Sequence, residues 1–480
     1  MIDINDEGSI LGSSRSISAM NAIKPDRFVL FLLLVFSLSV QTVGQTTSPE
    51  ADLQELYSWG DDYFLEVLTL PGKTDNKSRV VVLVRLTYDL LTFRKTTKAG
   101  STSDHYVAAP SVYIEAQGGD GVVVDYDSWN DTVETTEYRL TNSKLVLATS
   151  AIELEMRPGT YTITYAVDDG SPGRRFSRTT DPFVVPDFGS GDPAIGRPIF
   201  LKEKTEHQLS PVAIDGDAPF GQPIRFFVPL ASREAPTHLR AEFLSVHRDE
   251  KEGEILNMKS IGTGVVTFLG SVIPGEFYSF GSEIVAPLHR DSIPDGVWGA
   301  YCEFEASTVE PGQYAIELTY TAGELKEVDT LMFRVKWINM PFSLSSPAYA
   351  IKALWPIATD DEIDALLDVG KEGQEKALWD YWKELDRTPG TLFNERMAEY
   401  YRRVDYAFFN FATLKEHDGV FTDRGKIYIL FGPPTETRRE FDPDSNPKEI
   451  WTYNNVVNRE FVFRDQTESG AYRLVEYYDL

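Results

Sequence analysis

Between residues 80 and 337 the chain repeats one pattern: short alternating or β-branched apolar runs, each cut off by Gly, Pro, Asn or Asp. Side chains alternate between faces along a strand, so each run can bury a face, and the breakers supply the turns that join them. Such a chain is confined to sheets packed on sheets. Residues 80–86, VVVLVRL, are apolar at nearly every position, which predicts a central strand. Further strands are expected at 112–116, 122–126, 144–148 and 160–167. After Pro186 the segment DFGSGDPAIGRP is dense in breakers and reads as a linker, and a second strand-rich block runs from about Ile199 to Trp337.

The two blocks echo each other. Around Tyr161 the sequence is MRPGTYTITY, and around Tyr314 it is VEPGQYAIEL. In each, Pro-Gly makes a turn and the next strand opens with Tyr, followed two residues later by Ile on the same face. Similar openings occur in late strands of immunoglobulin-like sandwiches. The expectation is two tandem immunoglobulin-like β-sandwiches, at 52–187 and 196–342; chance recurrence in β-rich sequence is the competing reading.

Beyond Phe342 the pattern changes. Thr359-Asp360-Asp361-Glu362 is a capping box, and Ile363, Leu366 and Leu367 follow at helical spacing. Leu378, Trp379, Trp382 and Leu385 continue a helical face, and a third helix is expected over 392–414 with Tyr400, Tyr401, Val404, Phe408 and Phe411 in its core stripe. Four strands are then expected at 426–431, 449–454, 459–464 and 471–478, which makes residues 343–480 an α+β domain with a mainly antiparallel sheet. Asp423-Arg424-Gly425 reads as a turn into the first strand, with Gly425 at positive φ, and Gly432-Pro433-Pro434 as its stop.

This C-terminal region resembles the GWxTD domain proteins of bacteria, named for the pentapeptide standing here as Gly419-Val420-Phe421-Thr422-Asp423. The resemblance extends to Tyr400-Tyr401-Arg402-Arg403-Val404, Asp423-Arg424-Gly425, Ile427-Tyr428-Ile429, Gly432-Pro433-Pro434 and the strand with Trp451. One residue departs from the family, Val420 standing in place of the eponymous Trp, which puts any ligand role of that indole in doubt. The resemblance implies an exported protein, often with β-rich domains ahead of the motif, and no established activity.

Chemistry-bearing groups are sparse. A net charge of −28 disfavours nucleic acid and anionic lipid as partners. The one cysteine, Cys302, lies in an alternating run and reads as a small buried residue. His417 with Asp423, supported by Glu416 or Asp418, is the candidate for a hydrolase site. The six histidines show no short ligand pair, so no histidine metal site is expected. Calcium has two weak candidates, Asp442-Pro443-Asp444-Ser445-Asn446, which lacks the loop's Gly and terminal Glu, and Asp125 with Asp127 and Asp131. Trp129 and Trp298 are candidates for sugar or protein contact.

Localisation rests on residues 28–40, a thirteen-residue apolar run behind Lys24 and Arg27. It is short of the ~20 residues a spanning helix needs and suits a secretory signal cleaved near Gly44, with Met20 as the expected start; an uncleaved anchor is the alternative. No cysteine follows it for lipid attachment. The overall expectation is an exported, non-enzymatic envelope protein that binds a protein or glycan partner, with a hydrolase or a calcium-stabilised binding module as alternatives.

Overall fold

The computed structural model describes residues 63–480, less 73–76, 98–103, 145, 170, 172–174, 250–253, 292, 339, 414–415, 442–444, 455 and 468. The expected leader and the Asp442 to Asp444 part of the first calcium candidate lie outside the described residues.

The longer strands of the first block are β1 (Tyr63–Pro71), β2 (Ser78–Thr87), β3 (Ser111–Gly118), β4 (Val123–Asn130), β5 (Leu147–Met156), β6 (Gly159–Asp168) and β7 (Arg175–Thr179). The strand expected at 144–148 thus begins only at Leu147 and runs on to Met156. They form antiparallel sheets in the orders β1-β2-β5 and β7-β6-β3-β4. One core lies between them, with Val82 and Val84 from the first sheet meeting Ile114, Ile163 and Val167 from the second.

β2 is buried on both faces, which is why its sequence is apolar without alternation. Val80, Val82 and Val84 enter the core of the first block, while Val81 and Leu83 join Leu68 and Leu70 of β1 in a second cluster. That cluster also takes in Ile199, Leu201, Phe227, Ile284 and Tyr301 of the following block, so an apolar seam fastens the two blocks together. The expected linker belongs to this seam. The Gly196 N–H donates to the Pro229 carbonyl at 2.7 Å, and the Arg197 N–H to Thr69 Oγ1 at 3.1 Å. A Cβ on Gly196 would stand 2.8 Å from the Thr69 carbonyl oxygen, so this glycine serves close packing.

The second block contributes β8 (Ile224–Ala231), β9 (Pro236–Arg248), β10 (Ile255–Thr263), β11 (Val265–Gly270), β12 (Val297–Phe304), β13 (Gly312–Ala322) and β14 (Leu325–Lys336). Its main sheets run β8-β12-β11 and β14-β13-β9-β10 and share one core, where Phe226, Val228 and Cys302 meet Phe243, Ile316, Tyr320 and Phe333. Cys302 is buried there, and burial pushes its thiol up to about 12, so it acts as a small apolar residue.

The Pro-Gly-x-Tyr echo has a physical basis. Gly159 opens β6 and Gly312 opens β13, and in each the tyrosine ring lies across its glycine, 3.1 Å from an ideal Cβ at Gly159 and 3.6 Å at Gly312. Ile163 and Ile316 sit at the centre of their cores, with Tyr161 and Tyr314 packed at the margins.

In the C-terminal region come α1 (Pro347–Lys352), α2 (Asp360–Leu367), α3 (Lys371–Glu384), α4 (Glu395–Asn410) and α5 (Asp423–Phe431), then β15 (Glu436–Glu440), β16 (Lys448–Tyr453), β17 (Arg459–Asp465) and β18 (Tyr472–Asp479). The capping box forms: Glu362 N–H donates to Thr359 Oγ1 at 3.3 Å, and Thr359 N–H to Glu362 Oε2 at 2.7 Å. The sheet is antiparallel in the order β15-β16-β17-β18. Residues 426–431, expected as its first strand, are instead part of helix α5, and β15 takes the edge position. The run Ile427-Tyr428-Ile429-Leu430-Phe431 is apolar on every side because α5 packs between α4 and the sheet, with Tyr428 against Tyr406 and Phe431 against Phe461. The chain is therefore mainly β, with several antiparallel sheets. Among the described residues no helix is long and apolar enough to cross a membrane.

Candidate functional site

The family pentapeptide builds the start of α5. Asp418 turns the chain, its Oδ1 accepting from the Val420 N–H and its Oδ2 from the Tyr349 hydroxyl, both at 2.8 Å. Gly419 is pressed on the end of α4, where a Cβ would stand 2.0 Å from the Ala407 carbonyl oxygen. Thr422 caps α5, accepting from the Gly425 N–H at 3.0 Å and donating to the Gly419 carbonyl at 2.8 Å. Asp423 places its charge in the first helical turn, where the helix dipole favours it, and its Oδ2 accepts from the Leu474 N–H of β18 at 2.8 Å. Gly425 is helical, contrary to the expected positive φ, and its lack of a side chain answers a different need: a Cβ would lie 2.1 Å from the Gly419 carbonyl oxygen.

The far end of α5 is closed as firmly. Gly432, at φ 78°, donates from its N–H to the Tyr428 carbonyl at 2.7 Å, and its own carbonyl accepts from the Tyr453 hydroxyl at 2.8 Å. Arg403 of α4 reaches the Ile429 and Leu430 carbonyls with Nη1, 3.3 Å from each. Pro433 is exposed just beyond this stop.

Arg424 carries the central charge. Its guanidinium lies 5.4 Å from the Phe411 ring centre and 4.7 Å from that of Tyr472, with Nη1 3.5 Å from Glu449 Oε2. Burial pulls this guanidinium below its usual range, while the Glu449 charge works the other way. Glu449 is only 3% exposed, and it also accepts from Trp451 Nε1 at 2.7 Å and from Arg439 Nε at 3.2 Å. Trp451 packs on Phe411 and Phe463, and Tyr428 stacks on Tyr406 at 4.2 Å. The motif thus splices α4, α5 and the sheet into one body.

An indole does stand against the pentapeptide, although Val420 replaces the family Trp. Val420 is fully buried, and its carbonyl accepts from Trp355 Nε1 at 3.2 Å. Phe421, half-exposed, packs beside Trp355 and Tyr349.

The hydrolase candidates are not joined. His417 is exposed, and among the described residues no hydrogen bond or ion pair connects it with Asp423, whose carboxylate goes to β18. Glu416 pairs with Arg473, and Asp418 is taken by Val420 and Tyr349. Among the described residues no three His, Cys, Asp or Glu side chains are grouped to hold a metal ion. Asp125, Asp127 and Asp131 each accept from the amide of the next residue. Trp129 packs partly on the first core and lines a cleft of about 840 Å³ between the β blocks, whereas Trp298 donates to the Ser232 carbonyl at 3.3 Å. Sequence reasoning missed Arg403 as the cap of α5 and Glu449 as the partner of Arg424. The Glu449-x-Trp451 spacing, two residues of one strand face, is the signal that identifies the second.

A search of curated proteins found no match to this chain. Among solved structures, a family 123 glycoside hydrolase from Clostridium perfringens is similar at 14% identity over 35% of this chain and 30% of that one, with a TM-score of 0.16. The C-terminal domain of the Streptococcus pyogenes antigen I/II-family protein AspA is similar at 8% identity over 57% of this chain and 100% of that one, TM-score 0.14. The corresponding domain of Streptococcus agalactiae BspA gives 9% identity over 57% and 100%, TM-score 0.13. Likenesses at such scores carry no argument here. The family comparison bears directly on the spliced region: residues 321–479 match the model of the GWxTD domain, so this part of the chain carries a GWxTD domain.

Proposed function

We propose that this is an exported, non-enzymatic module of the bacterial envelope, in which two immunoglobulin-like β-sandwiches present sheet edges to a protein partner and the GWxTD domain supports them. Export is favoured by the apolar run at 28–40 behind Lys24 and Arg27. The immunoglobulin-like reading is favoured by Tyr314, whose hydroxyl donates to the Glu310 carbonyl at 2.9 Å, as a tyrosine corner does.

One observation carries the binding role. β10 is the outer strand of its sheet and is exposed along almost its whole length, with Ile255, Leu256, Met258 and Ile261 between 38% and 65% exposed. The chain then crosses to the opposite sheet and supplies its outer strand, β11, with Val265 72% and Phe268 40% exposed. Edge strands of soluble proteins are ordinarily guarded by charge, proline or cover, and in β10 the single charge is Lys259. Such an edge suits addition of an extended strand from a partner. A photo-crosslinking residue at Leu256 in cells is expected to capture one envelope protein, and Leu256→Lys with Val265→Lys to abolish the capture. Cytoplasmic fractionation of the protein, or capture unaffected by the double variant, would refute the proposal.

A further inference from the structure

The apolar seam between the β blocks is interrupted by Glu66. It lies on the β1 face that carries Leu68 and Leu70, is 2% exposed, and among the described residues makes no hydrogen bond of ordinary geometry through either carboxylate oxygen. Leaving a carboxylate buried without donors is costly, so a group placed this way is held in its neutral form.

The charged groups around it are largely engaged elsewhere. Arg85 of β2 donates to the Val212 and Ala213 carbonyls, Asp215 accepts from the Leu65 N–H at 3.1 Å, and Asp217 pairs with Arg334 at 2.8 Å and Lys336 at 3.0 Å. Arg197 is the cation that most favours an ionised Glu66, helped by the Gly216 amide, while Asp215 and Asp217 oppose it. Burial outweighs all of these and pushes the carboxyl up to about 7. The facing segment is itself under backbone strain, since Ala213 at φ 53° and Asp215 at φ 62° are left-handed without being glycine.

We infer that Glu66 makes the seam a proton-controlled latch: protonated, it lets β1 seal on residues 212–217 of the second block, and its ionisation favours opening at that strained segment. Opening admits water to the carboxylate and releases the left-handed residues, so both gains fall at one place. In the open form the carboxyl titrates near its ordinary 4.5, so between 4.5 and about 7 the closed seam holds one more proton than the open one. Closure is therefore favoured fully below that window and weakens as pH rises through it. The separation corresponds to a change on the order of 300-fold in the opening equilibrium.

Hydrogen exchange of the full chain, read by mass spectrometry and corrected for intrinsic exchange, tests this between about pH 5 and about pH 8. In peptides spanning β1 and 208–219, protection is expected to fall by up to about 70-fold with rising pH over that range. Glu66→Gln is expected to hold the low-pH protection throughout, whereas Asp405→Asn, in α4 of the C-terminal region, leaves the slope at the seam unchanged. An identical slope in Glu66→Gln and the parent overturns the latch. If Glu66→Gln fails to fold, carbon-13 titration of the parent's glutamate carboxyls decides, and a midpoint for Glu66 in the ordinary glutamate range overturns it equally.

Discussion

Glu66 and Glu449 are both closed off from water on sheet strands, 2% and 3% exposed, and the molecule treats them in opposite ways. Glu449 accepts from Trp451 and Arg439 and faces Arg424, so its charge is shared out among fixed donors. Glu66 shares its strand face with Leu68 and Leu70 and, among the described residues, has no hydrogen bond of ordinary geometry. A buried carboxylate can be a structural tie or a titrating liability, and the difference lies in the donors rather than in depth. In the C-terminal sheet the donors come from the same strand and from its hairpin neighbour. At the seam the neighbouring charges come from Arg85 on the paired strand β2 and from segments of the second block more than a hundred residues on, and most serve other partners.

The largest effect expected from this comparison follows removal of the satisfied carboxylate. Glu449→Ala leaves Arg424 buried between two rings without its counter-charge, and breaking such a pair costs roughly 3–5 kcal/mol. Urea unfolding of the C-terminal region should show a loss of that size. A loss under about 1 kcal/mol would mean that Glu449 is no more of a tie than an exposed ion pair. The matched change at the seam has the opposite sign. Glu66→Gln removes the penalty of burying a charge, so at about pH 8 it should raise stability by roughly 3 kcal/mol, with the gain vanishing below about pH 4.5. Unfolding curves for both chains across that range check the sign directly.

How far these features could be read from sequence follows the same division. Local chemistry was legible: the Thr359 to Glu362 capping box forms as spaced, the doubly buried β2 shows in its unbroken VVVLVRL run, and Ile163 and Ile316 lie in the two cores with Tyr161 and Tyr314 packed beside them. The α5 assignment failed because a short run of β-branched and aromatic residues is the same signal for a buried strand and for a helix packed on two sides. The features that decide it are Thr422 as a cap, which is local, and the packing of α5 between α4 and the sheet, which is tertiary. Glu66 was illegible for a related reason. One glutamate in a strand ordinarily marks a solvated face, and only the docking of the second block on β1 removes its water.

A smaller effect separates the two residues of the hydrolase candidate. Asp423 accepts from the Leu474 amide and sits in the first turn of α5, so Asp423→Ala loses a cross-link to β18 and a favourable dipole contact, together about 1–2 kcal/mol. His417 is exposed and joined to Asp423 by no hydrogen bond, so His417→Ala should change stability by less than about 0.5 kcal/mol. The double variant then equals the sum of the singles, because residues without shared partners do not couple. A coupling energy above about 0.5 kcal/mol in that cycle would bring the two side chains into one site and revive the catalytic reading. Additivity would instead leave Asp423 as what its bonds describe, the residue that ties the first turn of a helix to the last strand of the sheet.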